Sequence, residues 1–131
     1  MDRIEEQTFG AIIREKRKEK ELTLRKFAEL TSLSPVHMSG METGQRPAPR
    51  DEVLIRMGEL LGLEKQGMEL LYDLAAKSKN APRVSGDLPD YIMGNDLARL
   101  ALRTAKEVDA TDAEWEEFIA KLRERIREGG G

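Results

Sequence analysis

Ser34 followed by Pro35 constrains this chain more than any other pair of its residues. A Ser hydroxyl caps the orphan amides at a helix start, and Pro, with its fixed φ and missing N–H, is tolerated at the first helical position. A helix therefore begins there. It carries Met38 and Met41 on one face and ends near Thr43, where Gly44 takes the left-handed conformation of a C-terminal cap. Upstream, Thr23 caps a helix with Leu24, Phe27, Ala28 and Leu30 as its apolar positions, so two short helices meet across a tight turn. Phe9, Ile12 and Ile13 recur at helical spacing and place a first helix from about Phe9 to Lys20.

Pro47 and Pro49 exclude a helix from the loop that follows. Val53, Leu54, Met57, Leu60 and Leu61 outline a fourth helix ending at Gly62, and Met68, Leu70, Leu71, Leu74 and Ala75 a fifth, from about Glu64 to Ala76. The texture then changes. KSKNAPRVSGDLP, residues 77–89, is polar with Gly and two Pro and reads as a linker or extended arm. Beyond it, Tyr91, Ile92 and Met93 form a short apolar cluster, and Leu97, Leu100, Ala101, Ala105 and Val108 outline another helix. TDAE, residues 111–114, fits a capping box, and Trp115, Phe118, Ile119, Leu122 and Ile126 make an apolar stripe on the helix it starts. The expected architecture is all-α: a five-helix domain over 1–76, a linker over 77–89, and a small helical segment over 90–131.

With 36% of its residues charged and no apolar run long enough to span a bilayer, the chain reads as globular, with a cytoplasmic location as the default. The N-terminus is charged (Asp2, Arg3, Glu5, Glu6) where a secretory signal needs an apolar core. No Cys and a single His leave no disulfide, thiolate or imidazole pair, so neither a metal nor a cofactor is expected and His37 has no partner for catalysis. Scattered carboxylates form no recognisable acid–base pair, which speaks against an enzyme. The net charge of −3 comes wholly from residues 64–131, since basic and acidic residues balance over 1–63. Within that first part, Arg14 to Lys26 is locally basic, which suits phosphate and equally suits a solvated helix face.

Three segments at fixed offsets, LRKFAELTSLS, SPVHMSGMETGQRP and VLIRMGELLGL, resemble the λ-repressor-like helix-turn-helix family, the Cro and XRE group of DNA-binding domains. The resemblance covers about Phe9 to Leu63. It implies that Ser34 to Thr43 lies in the major groove of double-stranded DNA while the preceding helix crosses the phosphate backbone. It also implies that Arg17 and Glu42 form a partly buried structural ion pair, the alternative being that Arg17 reaches a phosphate.

By the same resemblance, Pro35, Val36, His37, Ser39 and Gly40 stand near base edges, and Val36, His37, Ser39 and Gly40 are the candidate base contacts. Polar readout is thin, since only His37 and Ser39 carry hydrogen-bonding side chains, while Val36 suits a thymine methyl. Leu24 stands where relatives often have Gln. Gly40 costs about 1 kcal/mol in a helix interior relative to Ala, and either allows close approach to DNA or is simply tolerated. Backbone contact is better supplied: Thr23, Arg25, Lys26, Ser34, Thr43, Gln45 and Arg46 are placed as phosphate ligands are in relatives. Glu21 departs from the family too, standing where Gly usually ends the first helix in a left-handed conformation.

The implied function is a sequence-specific transcriptional regulator, acting as a repressor on a palindromic operator. About 45 residues after the linker are few for an independent core, so their apolar faces call for burial against the first domain or a second copy of the chain, and a homodimer is the simplest outcome. The competing reading is a protein-interaction module, or an antitoxin-like protein that holds a partner through its C-terminal segment; the missing polar readers favour it.

Overall fold

The computed structural model describes residues 7–79 and 83–129, and every regular element among them is an α-helix. The helices are α1 (Phe9–Glu19), α2 (Leu24–Leu30), α3 (Pro35–Glu42), α4 (Asp51–Leu60), α5 (Lys65–Lys77), α6 (Pro89–Met93), α7 (Asp96–Val108) and α8 (Asp112–Gly129). The chain divides into two compact units after Pro89.

The start signals act locally. Thr8 caps α1 by accepting from the Ala11 N–H at 3.1 Å, Thr23 caps α2 through Lys26 at 3.0 Å, and Ser34 caps α3 through His37 at 3.0 Å with Pro35 next in line. The stops share one geometry. At the end of α1, Leu22 N–H donates to Arg17 and Glu21 N–H to Lys18; α2 ends with the same pair of bonds from Leu33 and Ser32, and α4 from Leu63 and Gly62. This Schellman pattern puts the residue just past the cap in the left-handed region, at φ +55° for Glu21, +60° for Ser32 and +66° for Gly62. Only the last is the residue that adopts it without steric cost.

The first unit closes over Phe9, Ile13, Phe27, Met38, Met41, Leu54, Met57, Leu71 and Leu74, all essentially removed from water. Each such side chain contributes roughly 1.5–3 kcal/mol by burial. α1 packs on α3 and α5, α2 on α3, and α4 on α5. Gly10 sets the first of these crossings: a Cβ there would lie 2.5 Å from the Glu42 carbonyl oxygen and closer still to that of Met41. Only a residue without a side chain lets α1 cross the end of α3 at this distance.

Residues beyond α5 also belong to the first unit. Ser85 is buried and its hydroxyl donates to the Asp73 carboxylate, while Gly86 lies against Asp51. Burial, then the nearby Asp51 and Asp87 carboxylates, raise the Tyr72 phenol above its ordinary range. At the end of α5, Ser78 and Lys79 reach back to the loop after α3: the Ala48 N–H donates to Ser78 Oγ at 2.8 Å, and Lys79 Nζ donates to the Ala48 carbonyl at 2.5 Å.

The second unit begins with the single turn of α6, whose C-terminal carbonyls are satisfied by Arg99: its Nη1 donates to Ile92 at 2.9 Å and to Met93 at 2.6 Å, while Nη2 pairs with Asp96. Asn95 caps α7, and Thr111 and Glu114 form the reciprocal capping box of α8, with Thr111 N–H to Glu114 at 3.0 Å and Glu114 N–H to Thr111 at 3.2 Å. No side chain of α6, α7 or α8 is buried. Leu97, Leu100, Val108, Phe118 and Ile126 each expose more than half of their surface, and Trp115 and Phe118 meet edge to face with centroids 6.1 Å apart.

Candidate nucleic-acid interface

α2 and α3 are joined by four residues, and the turn is built from its own hydrogen bonds. Buried Thr31 donates its hydroxyl back to Phe27 at 2.8 Å and Ala28 at 3.0 Å, and Ser32 then turns the chain through its positive φ. Phe27 and Ala28 on one helix and Met38 and Met41 on the other close the inner side of the pair.

The exit of α3 is fixed by the residues that the resemblance pairs. Arg17 Nε donates to Glu42 Oε2 at 2.7 Å and Nη2 to Oε1 at 3.0 Å, while Nη1 donates to the Leu22 carbonyl at 2.9 Å. The Arg17 and Glu42 side chains keep only 9% and 4% of their exposure, so the guanidinium faces inward and is not presented to a ligand. Its hydrogen bonds to Glu42 raise the Arg17 pKa above its usual value, against the opposing effect of burial.

With its inner side occupied, α3 turns Val36, Ser39 and Thr43 outward; Val36 is 74% exposed. His37 is half-buried at the margin of that face. Leu24 is partly buried against the core, so the first residue of α2 serves packing and offers nothing polar outward. Gly40 belongs to the outward face by helical spacing, yet it is buried. The atoms nearest to where its Cβ would stand are Cδ, Cγ and Nε of Arg46, at 2.9, 3.0 and 3.2 Å. The Arg46 stem lies across the helix, and the Arg46 N–H donates to the Gly40 carbonyl at 3.0 Å.

The N-termini of α2 and α3 are both exposed and capped, and their amide dipoles favour an anion. The Thr23 and Ser34 hydroxyls accept from helix amides and keep their own protons for an outside acceptor. Thr43 differs, because its hydroxyl donates inward to Ser39 at 3.0 Å and Gly40 at 3.3 Å and must rotate to meet a phosphate. Arg25, Gln45 and Arg46 are exposed; Lys26 is exposed beside Glu29 at 3.9 Å, a surface pair worth little. Two features of this arrangement escape a reading by sequence position: the seat of Arg46 over Gly40, and the clamp of Ser78 and Lys79 on Ala48 just behind it. Their only signal is Gly40 itself, a helix-interior glycine without a local reason. Among the described residues, no three His, Asp or Glu side chains are grouped as metal ligands, and no helix is long and apolar enough to cross a membrane.

Residues 8–71, which hold α1 to α4 and the first part of α5, match the model of a helix-turn-helix domain family of XRE-like type. No curated protein and no solved structure matches the chain.

Proposed function

We propose, from the match of residues 8–71 to a helix-turn-helix domain family, which implies DNA binding, that this protein is a cytoplasmic, sequence-specific regulator of transcription that acts as a repressor. In this reading α3 enters the major groove and presents Val36, His37 and Ser39 to base edges. Thr23, Arg25, Lys26, Ser34, Thr43 and Gln45 hold the flanking phosphates. The observation that carries it is the outward face of α3, free of core packing, together with the capped N-termini of α2 and α3 and the exposed side chains of Arg25 and Lys26. Such a face supplies backbone contacts generously and base contacts sparingly, so a second copy of the domain on a second half-site is needed to raise affinity.

The apolar side chains exposed along α7 and α8 support pairing of two chains, with two copies of α3 one helical turn apart on a palindromic operator. The same exposed residues support a second reading, in which the C-terminal helices hold a partner protein as an antitoxin does. Selection of sites from a random duplex library, with a salt titration of the winner, tests the first reading: an enriched palindrome and a steep salt slope are expected. Sedimentation of the purified protein separates the other two, since a dimer at micromolar concentration favours self-pairing and a monomer favours a partner.

A further inference from the structure

The outward face of α3 lacks a long polar reader, and at one position it lacks a side chain altogether. Gly40 lies between Val36 and Thr43 on that face, and Arg46 fills the place its side chain would take. Four features fix the arginine's root. Gly44, at φ +84°, folds the chain back over the helix, and the Arg46 N–H bonds to the Gly40 carbonyl at 3.0 Å. Pro47 restricts the next φ, and Ala48 behind it is buried and held at both backbone polar groups by Ser78 and Lys79. Among the described residues no carboxylate lies within ion-pair distance of Arg46, whereas Arg17, Arg50, Arg56 and Arg99 each have one.

We propose that Arg46 is the specificity-determining residue of this interface: from its seat over Gly40 its guanidinium reads a guanine edge in the major groove. The proposal rests on the DNA-binding reading above and replaces the phosphate role that the family resemblance implies for Arg46. Its basis is placement. A phosphate ligand is useful at the rim of a recognition helix, but this stem lies over Gly40, which shares the outward face with Val36, Ser39 and Thr43 by helical spacing, where base edges lie when such a helix docks. Arginine's planar fork meets guanine O6 and N7 together, a contact that neither Val36 nor Ser39 can make. Gly40 is then required for a reason internal to the protein, because any Cβ at that position displaces the stem.

The test uses the site selected by the wild-type chain and a set of single-base variants of it. Wild type is expected to prefer G·C at one position of each half-site by about 5- to 150-fold. Arg46→Ala is expected to lose that preference, with discrimination at the other positions kept. Arg46→Lys, which keeps the charge and loses the fork, is expected to lose most of it. Gly40→Ala, which evicts the stem, is expected to weaken the same position while its thermal midpoint stays at or above that of wild type. An equal loss of affinity on every sequence in Arg46→Ala, with a salt slope lower by about one, would identify a phosphate ligand and overturn the proposal while leaving the DNA-binding reading intact. Failure of the wild-type chain to select any site would overturn both.

Discussion

Glu21→Gly is expected to stabilise the first unit, and the expectation follows from one dihedral angle. Glu21 sits just past the end of α1 at φ +55°, a conformation that costs an L-residue with a Cβ roughly 1–2 kcal/mol. Glycine removes that cost and adds roughly 0.5–1 kcal/mol of chain entropy lost on folding, so the net gain is about 0.5–1 kcal/mol. Gly62 provides an internal standard, since it closes α4 with the same pair of hydrogen bonds at φ +66° and carries no such strain. The carboxylate adds a second effect, because a negative charge at a helix C-terminus is unfavourable, although salt screens it at this exposed position. Glu21→Gln removes the charge and keeps the strained angle, which separates the two contributions. The assay is urea unfolding followed by far-ultraviolet circular dichroism, read as a change of midpoint at constant slope. Glu21→Gly should raise the midpoint more than Glu21→Gln, and Gly62→Ala should lower it. Equal midpoints for the Gly and Gln variants, or no gain from either, would refute the backbone argument.

Three further outcomes are expected. Arg17→Met leaves the Glu42 carboxylate buried without its bidentate partner and should cost roughly 3–5 kcal/mol in the same unfolding assay, most of it recovered by adding Glu42→Leu; a single-variant loss below about 1 kcal/mol would contradict this. Gly10→Ala drives a Cβ into the carbonyls that end α3 and should destabilise by at least the roughly 1–3 kcal/mol of ordinary overpacking, where an unchanged melting temperature would show that the α1–α3 crossing is looser. Glu114 accepts hydrogen bonds from the Thr111 N–H and hydroxyl, which hold its carboxyl below the usual range. Its contribution to the start of α8 is therefore present above the ordinary glutamate pKa and is lost as pH falls through the lower folded value. A carboxyl-carbon NMR titration should show the depressed midpoint in wild type and a less depressed one in Thr111→Ala, which removes the hydroxyl donor and keeps the N–H.

Most of the first unit is legible in the sequence because its signals are local. Thr23, Ser34 with Pro35, Gly44 and Gly62 mark starts and stops by chemistry that acts within one turn, and the spacing of Phe9, Ile13, Phe27, Met38 and Met41 fixes which faces turn inward. Ser32 is less legible: it adopts the same left-handed stop as Glu21, but serine is no signal for it. Contacts between distant residues leave no local pattern, and the Arg17–Glu42 pair is foreseen only through the family resemblance. Ser85 bonds to Asp73, Lys79 to Ala48 and Arg99 to the end of α6, and each is an ordinary polar residue until the fold brings its partner near. The candidate site divides along the same line. Thr23 and Ser34 are readable from their caps, whereas Arg46 becomes a residue of the outward face only because the loop after α3 folds back onto Gly40. Sequence alone leaves that glycine either as a close approach to DNA or as simply tolerated; the structure supplies a third explanation, the Arg46 stem that lies over it.

The central claim, that the outward face of α3 is the surface that meets DNA, is tested most directly by amide NMR of the labelled protein titrated with the selected duplex. The largest shifts are expected on residues 23–26 and 34–46, at the two capped helix starts and the returning loop. Shifts concentrated on α7 and α8, with those residues unmoved, would contradict it.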